Sequence, residues 1–202
     1  MSMVNPAELS VLAEQLEPPF LLNTLTAISA LASIDPARAR NMTAGLQDLL
    51  AYSLRHGAAD SVPLGEEVHF IRQYLRLQSL RFGERLRSSV DVPSELLAFP
   101  VPRLILQPLV ENALKYGVAQ CEAGGVIVID AAGGRDTLTI RVRNSDAAIP
   151  GTPGIGIGVA GVRARLALLF GERQQVLMTQ DATKQMTIVM VTLPLARSGV
   201  AA

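Results

Sequence analysis

The sequence predicts an α+β fold: an N-terminal helical hairpin, then a domain in which a helical layer packs on a mixed, largely antiparallel sheet. Three observations carry that expectation. Apolar residues recur at helical spacing up to about residue 84, alternation takes over beyond it, and two further helical stretches fall between β-runs in the order β-α-β-β-loop-α-β-β.

Leu9 to Leu31 is helical in pattern, interrupted at Pro18-Pro19. In Asp35 to His56, Asp35 caps the first turn, Pro36 fits the first helical position, and Leu46, Leu49, Leu50 and Leu54 recur at helical spacing before Gly57 supplies the stop. A third helix, from about Pro63 to Phe82, sets Leu64, Val68, Ile71, Leu75 and Gln78 on one stripe, with Glu66 and Glu67 near its positive end. Three striped helices with short connections must bury a face, most economically against a second copy of the chain. Beyond residue 84, Leu86 to Val92 alternates, Gly125 to Ala131 and Thr137 to Arg143 form two β-runs joined at Gly133-Gly134, and Val176 to Met178 and Met186 to Leu193 form two more. The helices between them are expected at Val101 to Tyr116 and Val159 to Phe170. The domain boundaries predicted are therefore 1–83 and 84–202.

Composition narrows the function. The 18 basic and 18 acidic side chains cancel, which leaves no electrostatic footprint for nucleic acid or an anionic membrane. The absence of tryptophan and 4 % aromatics speak against a stacking platform for single strands. The longest apolar stretch, Phe20 to Ile34, is broken by Asn23, Thr24, Thr26, Ser29 and Ser33, so no run of the ~20 residues that span a bilayer is present. Met1 to Ser10 has no basic start and carries Pro6 and Glu8, and the expected location is the cytoplasm. One cysteine, Cys121, and two histidines, His56 and His69, supply neither a disulfide nor an ordinary zinc site, so a metal would be oxygen-bound magnesium.

Two constellations carry chemistry. In Leu106-Gln107-Pro108-Leu109-Val110-Glu111-Asn112-Ala113-Leu114-Lys115-Tyr116-Gly117, Glu111, Asn112 and Lys115 occupy neighbouring faces of one helix. A carboxylate can orient a water or accept a proton, an amide oxygen is a hard magnesium ligand, and an ammonium neutralises phosphate; a solvated polar patch would look the same in isolation. The second, Gly151-Thr152-Pro153-Gly154-Ile155-Gly156-Ile157-Gly158, runs directly into the last helical pattern. Glycines let backbone amides approach phosphate and a helix start adds partial positive charge, although a flexible connection is the commoner meaning of such a run. It fits neither a dinucleotide fingerprint nor a Walker motif.

Together and in this order, the two constellations resemble the Bergerat-type ATP-binding domain of the GHKL superfamily, shared by histidine kinases, gyrase, Hsp90 and MutL. The resemblance sharpens upstream. Gln15-Leu16-Glu17-Pro18-Pro19-Phe20-Leu21-Leu22-Asn23-Thr24-Leu25 looks like the Q-x-x-P-H-F-L-F-N-x-L box of LytS-type sensor histidine kinases, and Leu64 through Arg81-Phe82 is similar to that family's L-x-E-E … Y-L … R-F stretch. Leu106 to Gly117 matches its L-Q-P-L-V-E-N-A-x-K-H-G, and Gly154 to Leu166 its G-x-G-I-G-L-x-N-V-x-x-R-L. The resemblance implies ATP and magnesium, with Asn112 holding the metal, Glu111 positioning a water or proton, Lys115 near phosphate, Tyr116 in place of the N-box histidine, Asn144 on adenine and Gly154, Gly156 and Gly158 in a lid. It also implies a homodimer through residues 1–83 and a response regulator or partner histidine kinase as the protein it acts with.

The departures matter as much. The family's phosphoacceptor histidine falls on Pro19, which has no nucleophilic nitrogen, so self-phosphorylation there is chemically impossible. Asn144-Ser145-Asp146-Ala147-Ala148 replaces the family's D-x-G-x-G, and Gly161 replaces the asparagine common in the lid-following helix. Two other functions compete with a degenerate kinase: a non-enzymatic pseudokinase scaffold for a partner kinase or response regulator, and a phosphotransfer protein using His56 or His69. Arg163 and Arg165 reach either phosphate, the helical region or solvent, and Cys121 reads as an incidental thiol.

Overall fold

The computed structural model describes residues 18–55, 61–145, 157–181, 183 and 185–195. The chain divides into two compact units, Met1–Ala59 with Arg72–Gly83, and Asp60–Ile71 with Glu84–Ala202. His56 and Gly57, expected at a helix end, and the loop with Gly154 and Gly156 lie outside the described residues.

The first unit is built on α1 (Pro18–Ala32), α2 (Pro36–Arg55) and the second part of α3 (Leu64–Phe82). The backbone is already helical at Pro18-Pro19. Between α1 and α2 the amide of Arg38 donates to Asp35 Oδ1 at 3.0 Å, the cap expected there. Phe20, Met42, Leu46, Leu49, Tyr74 and Leu77 are buried together, Phe20 packing on Tyr74 with ring centroids 4.8 Å apart. At Gly45 a Cβ would stand 3.1 Å from Leu77 Cδ2, so α2 and α3 approach closely at that point. Arg38 donates to the Leu80 carbonyl at 2.6 Å, closing the other end.

The second unit holds a five-stranded sheet in the order β2-β4-β5-β7-β6, made of β2 (Leu86–Asp91), β4 (Gly125–Gly133), β5 (Thr137–Ser145), β6 (Gln175–Asp181) and β7 (Met186–Pro194), numbered to leave β1 (Ser61–Pro63) and β3 (Pro100–Pro102) for a separate antiparallel pair. Only β2 and β4 pair in parallel; the remaining neighbours are antiparallel, as a mixed, largely antiparallel sheet requires. Alternate residues Ile127, Ile129, Leu138, Ile140, Val142, Val189 and Val191 are buried on one face. The helices α4 (Gln107–Gly117) and α5 (Ile157–Phe170) supply the other half of this core through Leu109, Val110, Ala113, Val159, Val162 and Leu166. Each valine, leucine or isoleucine of this core contributes on the order of 1.5–3 kcal/mol of burial.

The stripe read from Leu64 to Gln78 is fully buried, but the helix expected from Val101 begins only at Gln107. Residues 100–102 are a short strand, with Val101 opposite Val62. Pro100 and Pro102 disfavour helix, and Leu104 takes a positive φ of 56°, which no α-helix tolerates. No helix among the described residues is long and apolar enough to cross a membrane.

Candidate functional site

The site is organised by α4. Gln107 Nε2 donates to Glu111 Oε1 at 2.8 Å, one turn along, which fixes the half-buried carboxylate against its own helix. Asn112, the next residue, is 6 % exposed. Lys115 and Tyr116 are exposed at the far end, with Lys115 Nζ 5.3 Å from the centre of the Tyr116 ring.

Gly117 closes the helix where it meets the end of β5. A Cβ there would lie 2.5 Å from Asn144 Nδ2 and 2.7 Å from the Ser145 carbonyl oxygen, so only glycine permits this approach. Asn144 itself is buried, and its Nδ2 donates to Ser145 O at 2.8 Å, which turns Oδ1 away as an acceptor. Thr187, buried and directly across the ladder from Asn144, adds a hydroxyl to this corner. The structure therefore brings Glu111, Asn112, Lys115 and Tyr116 onto α4 and Asn144 to its carboxyl end. Gly158 sits in the first turn of α5, where a Cβ would be 2.9 Å from the Pro108 carbonyl oxygen, so it serves the packing of α5 on α4.

Three features escaped the sequence. Glu67, read as a helix-dipole partner, is entirely buried and accepts from the amides of Leu104 at 2.7 Å and Leu106 at 3.2 Å. Burial pushes its carboxyl above the usual range, while the amides of Leu104, Leu106 and Ile105 and the charge of Arg103 pull it back. Arg165 donates to the Arg103 carbonyl and Arg163 to the Val176 carbonyl at 3.0 Å, so both arginines bind backbone. His69 is exposed on α3, and Cys121 is a half-buried free thiol. Only the unusual density of acids before a helix stripe, Glu66-Glu67, could have pointed to the first of these.

Comparison with known proteins fits this geometry. The α+β architecture is that of histidine kinase catalytic domains. The histidine kinase domain of the blue-light activated kinase EL346 of Erythrobacter litoralis aligns over 93 % of this chain and 92 % of its own with a TM-score of 0.53 at 17 % identity. The nucleotide-free catalytic domain of the histidine kinase ThkA aligns over 67 % of this chain and 95 % of its own, with a TM-score of 0.52 at 14 % identity. Residues 7–86 match the family model described as Histidine kinase. The chain is 32 % identical over 180 residues to the sensor histidine kinase YpdA of Escherichia coli, covering 84 % of this chain and 32 % of that protein. It is 33 % identical over 198 residues to YesM of Bacillus subtilis, covering 95 % and 34 %, and 26 % identical over 188 residues to the sensor protein LytS of Oceanobacillus iheyensis, covering 86 % and 32 %. These matches place the chain with the LytS- and YesM-type sensor histidine kinases. It spans about a third of the length of these curated relatives.

Proposed function

We propose that this chain is the nucleotide-binding core of a degenerate histidine kinase, binding Mg-ATP on α4 and lacking the usual phosphoacceptor. The observation that carries it is the juxtaposition on one helix of Asn112, 6 % exposed, and the Glu111 carboxylate that Gln107 holds still. In this reading Asn112 ligates magnesium through its amide oxygen, Glu111 orients a water or receives a proton, and Lys115 neutralises phosphate. Tyr116 flanks the same end, Asn144 Oδ1 accepts from the adenine amino group, and Gly154 and Gly156 belong to a lid that ends at Gly158 in the first turn of α5. Bound Mg-ATP would supply the phosphoryl group.

Residues 1–83 form the dimerising region and 84–202 the nucleotide domain, working in the cytoplasm with a response regulator or partner histidine kinase. Exposed Leu22, Leu25 and Ile34 in the helical unit are consistent with a face that a second copy covers. Pro19 favours a second reading, a pseudokinase scaffold that contacts its partner without transferring phosphate.

Calorimetric titration with a non-hydrolysable Mg-ATP analogue tests the proposal. Wild type binds, and Asn112→Ala loses measurable affinity. No binding by wild type, or unchanged binding by Asn112→Ala, overturns the nucleotide site and leaves the scaffold.

A further inference from the structure

The turn at residues 103–106 leads directly into α4, and its backbone is held from two sides. From α3, the fully buried Glu67 carboxylate accepts the amide of Leu104 on one oxygen and that of Leu106 on the other. From α5, Arg165 donates to the Arg103 carbonyl. Leu106 is the residue before the first turn of α4, and its carbonyl receives the first intrahelical bond, from Val110 at 3.0 Å. A helix start leaves amides unpaired, and a glutamate at the third position often reaches back to the capping residue's amide. Here α4 has no side-chain cap of its own, and Pro108 stands in its first turn. The carboxylate that meets the Leu106 amide comes instead from a residue 39 positions away.

Leu104 adds a second, independent observation. Its φ of 56° is a conformation that leucine adopts only where its surroundings over-determine it. The bond from its amide to Glu67 is part of what does so.

We propose that Glu67 is a positioning residue for the nucleotide site: by pinning the strained 103–106 turn it sets where α4 begins, and so where Glu111 and Asn112 stand. This rests on the nucleotide reading of α4 given above. Asn112 follows Leu106 by six residues, about 9 Å of helix rise, so a change in the angle of the first turn is carried to the amide. Glu67 acts through the turn and touches no ligand.

The test compares the 202-residue wild type with Glu67→Ala and Glu67→Gln, by backbone amide exchange and by affinity for the non-hydrolysable Mg-ATP analogue. Removing the buried acceptor of the Leu104 and Leu106 amides is expected to weaken binding about tenfold in Glu67→Ala. Glu67→Gln is isosteric and keeps an oxygen for Leu104 while turning its amide toward Leu106, so it loses about threefold. In both variants exchange accelerates at Leu104, Leu106 and the first turns of α4, while the amides of β4, β5 and β7 keep their wild-type protection. Should Glu67→Ala fail to fold, Glu67→Gln decides alone. Unchanged affinity in Glu67→Gln, or exchange that rises evenly across the sheet, overturns the positioning role while the nucleotide site stands. A wild type without affinity overturns the nucleotide site itself and the positioning role with it; intact wild-type binding separates the two failures.

Discussion

The helices α1 and α4 carry the two motifs from which a kinase is recognised, and they differ in how their polar side chains are used. In α1 the hydroxyls of Thr24 and Thr26 fold back onto the carbonyls of Phe20 and Leu22, both at 2.8 Å, and Asn23 is exposed. Nothing polar there is both buried and unsatisfied. In α4 the polar groups are fixed in place from outside and along the helix: Gln107 on Glu111, Glu67 on the entering turn, and Asn144 against Gly117. One motif has become a packing element, and the other is still held as a site would be. Proline at position 19 thus coexists with these contacts around α4.

That contrast can be broken most directly by restoring the missing group. Pro19→His is expected to convert a chain with no acid-labile phosphate into one that incorporates label from ATP at least tenfold above the wild-type background, read by autoradiography after alkaline treatment. Label in the wild type that vanishes in His56→Ala or His69→Ala would instead assign phosphotransfer to those histidines.

Next in size is the packing role of α1. Phe20 is 5 % exposed against Tyr74, and Phe20→Ala should cost roughly 3–5 kcal/mol in urea unfolding of the helical unit. Leu25, 53 % exposed, should stay within about 0.5 kcal/mol when replaced by alanine. If Leu25→Ala instead lowers stability in a concentration-dependent way, a second copy covers it.

The α4 side of the comparison predicts an intermediate effect. Gly117→Ala places a Cβ 2.5 Å from Asn144 Nδ2 and 2.7 Å from the Ser145 carbonyl, and it should destabilise the sheet unit by about 1–3 kcal/mol. Because the displaced group is Asn144, affinity for the ATP analogue should fall in the same variant. A stability loss with unchanged affinity would remove Asn144 from the site.

How much of this was legible depended on whether the signal was local. The α2 cap at Asp35, the buried stripe from Leu64 to Gln78 and the alternation of the sheet strands are short-range patterns, and the structure follows them. The motif on α4 was legible because its residues fall within nine or ten positions of one helix. The strand pair β1–β3 was not, since each strand is three residues long and two of the three in β3 are proline. Nor was the burial of Glu67, whose partners lie 37 and 39 residues away and are backbone amides, which carry no residue signature. The two α5 arginines are invisible for the same reason, since each binds a carbonyl.

The smallest effect separates two glycines that look alike in sequence. Gly158 and Gly161 both lie in α5, one turn apart, and a glycine inside a helix costs about 0.5–1 kcal/mol relative to alanine. At Gly161 nothing lies within 4 Å of an added Cβ, so Gly161→Ala should recover that amount and raise stability. At Gly158 the Cβ would meet the Pro108 carbonyl oxygen at 2.9 Å, and this is backbone at the start of α4, which cannot swing aside. Overpacking there outweighs the propensity gain, leaving a net loss of about 1 kcal/mol. The opposite signs, measured by thermal unfolding of the two variants side by side, would establish that α4 and α5 are held at a fixed distance by the absence of a single side chain. Equal gains would mean that α5 can retreat from α4, and the site helix would then be fixed by Glu67 and Gly117 alone.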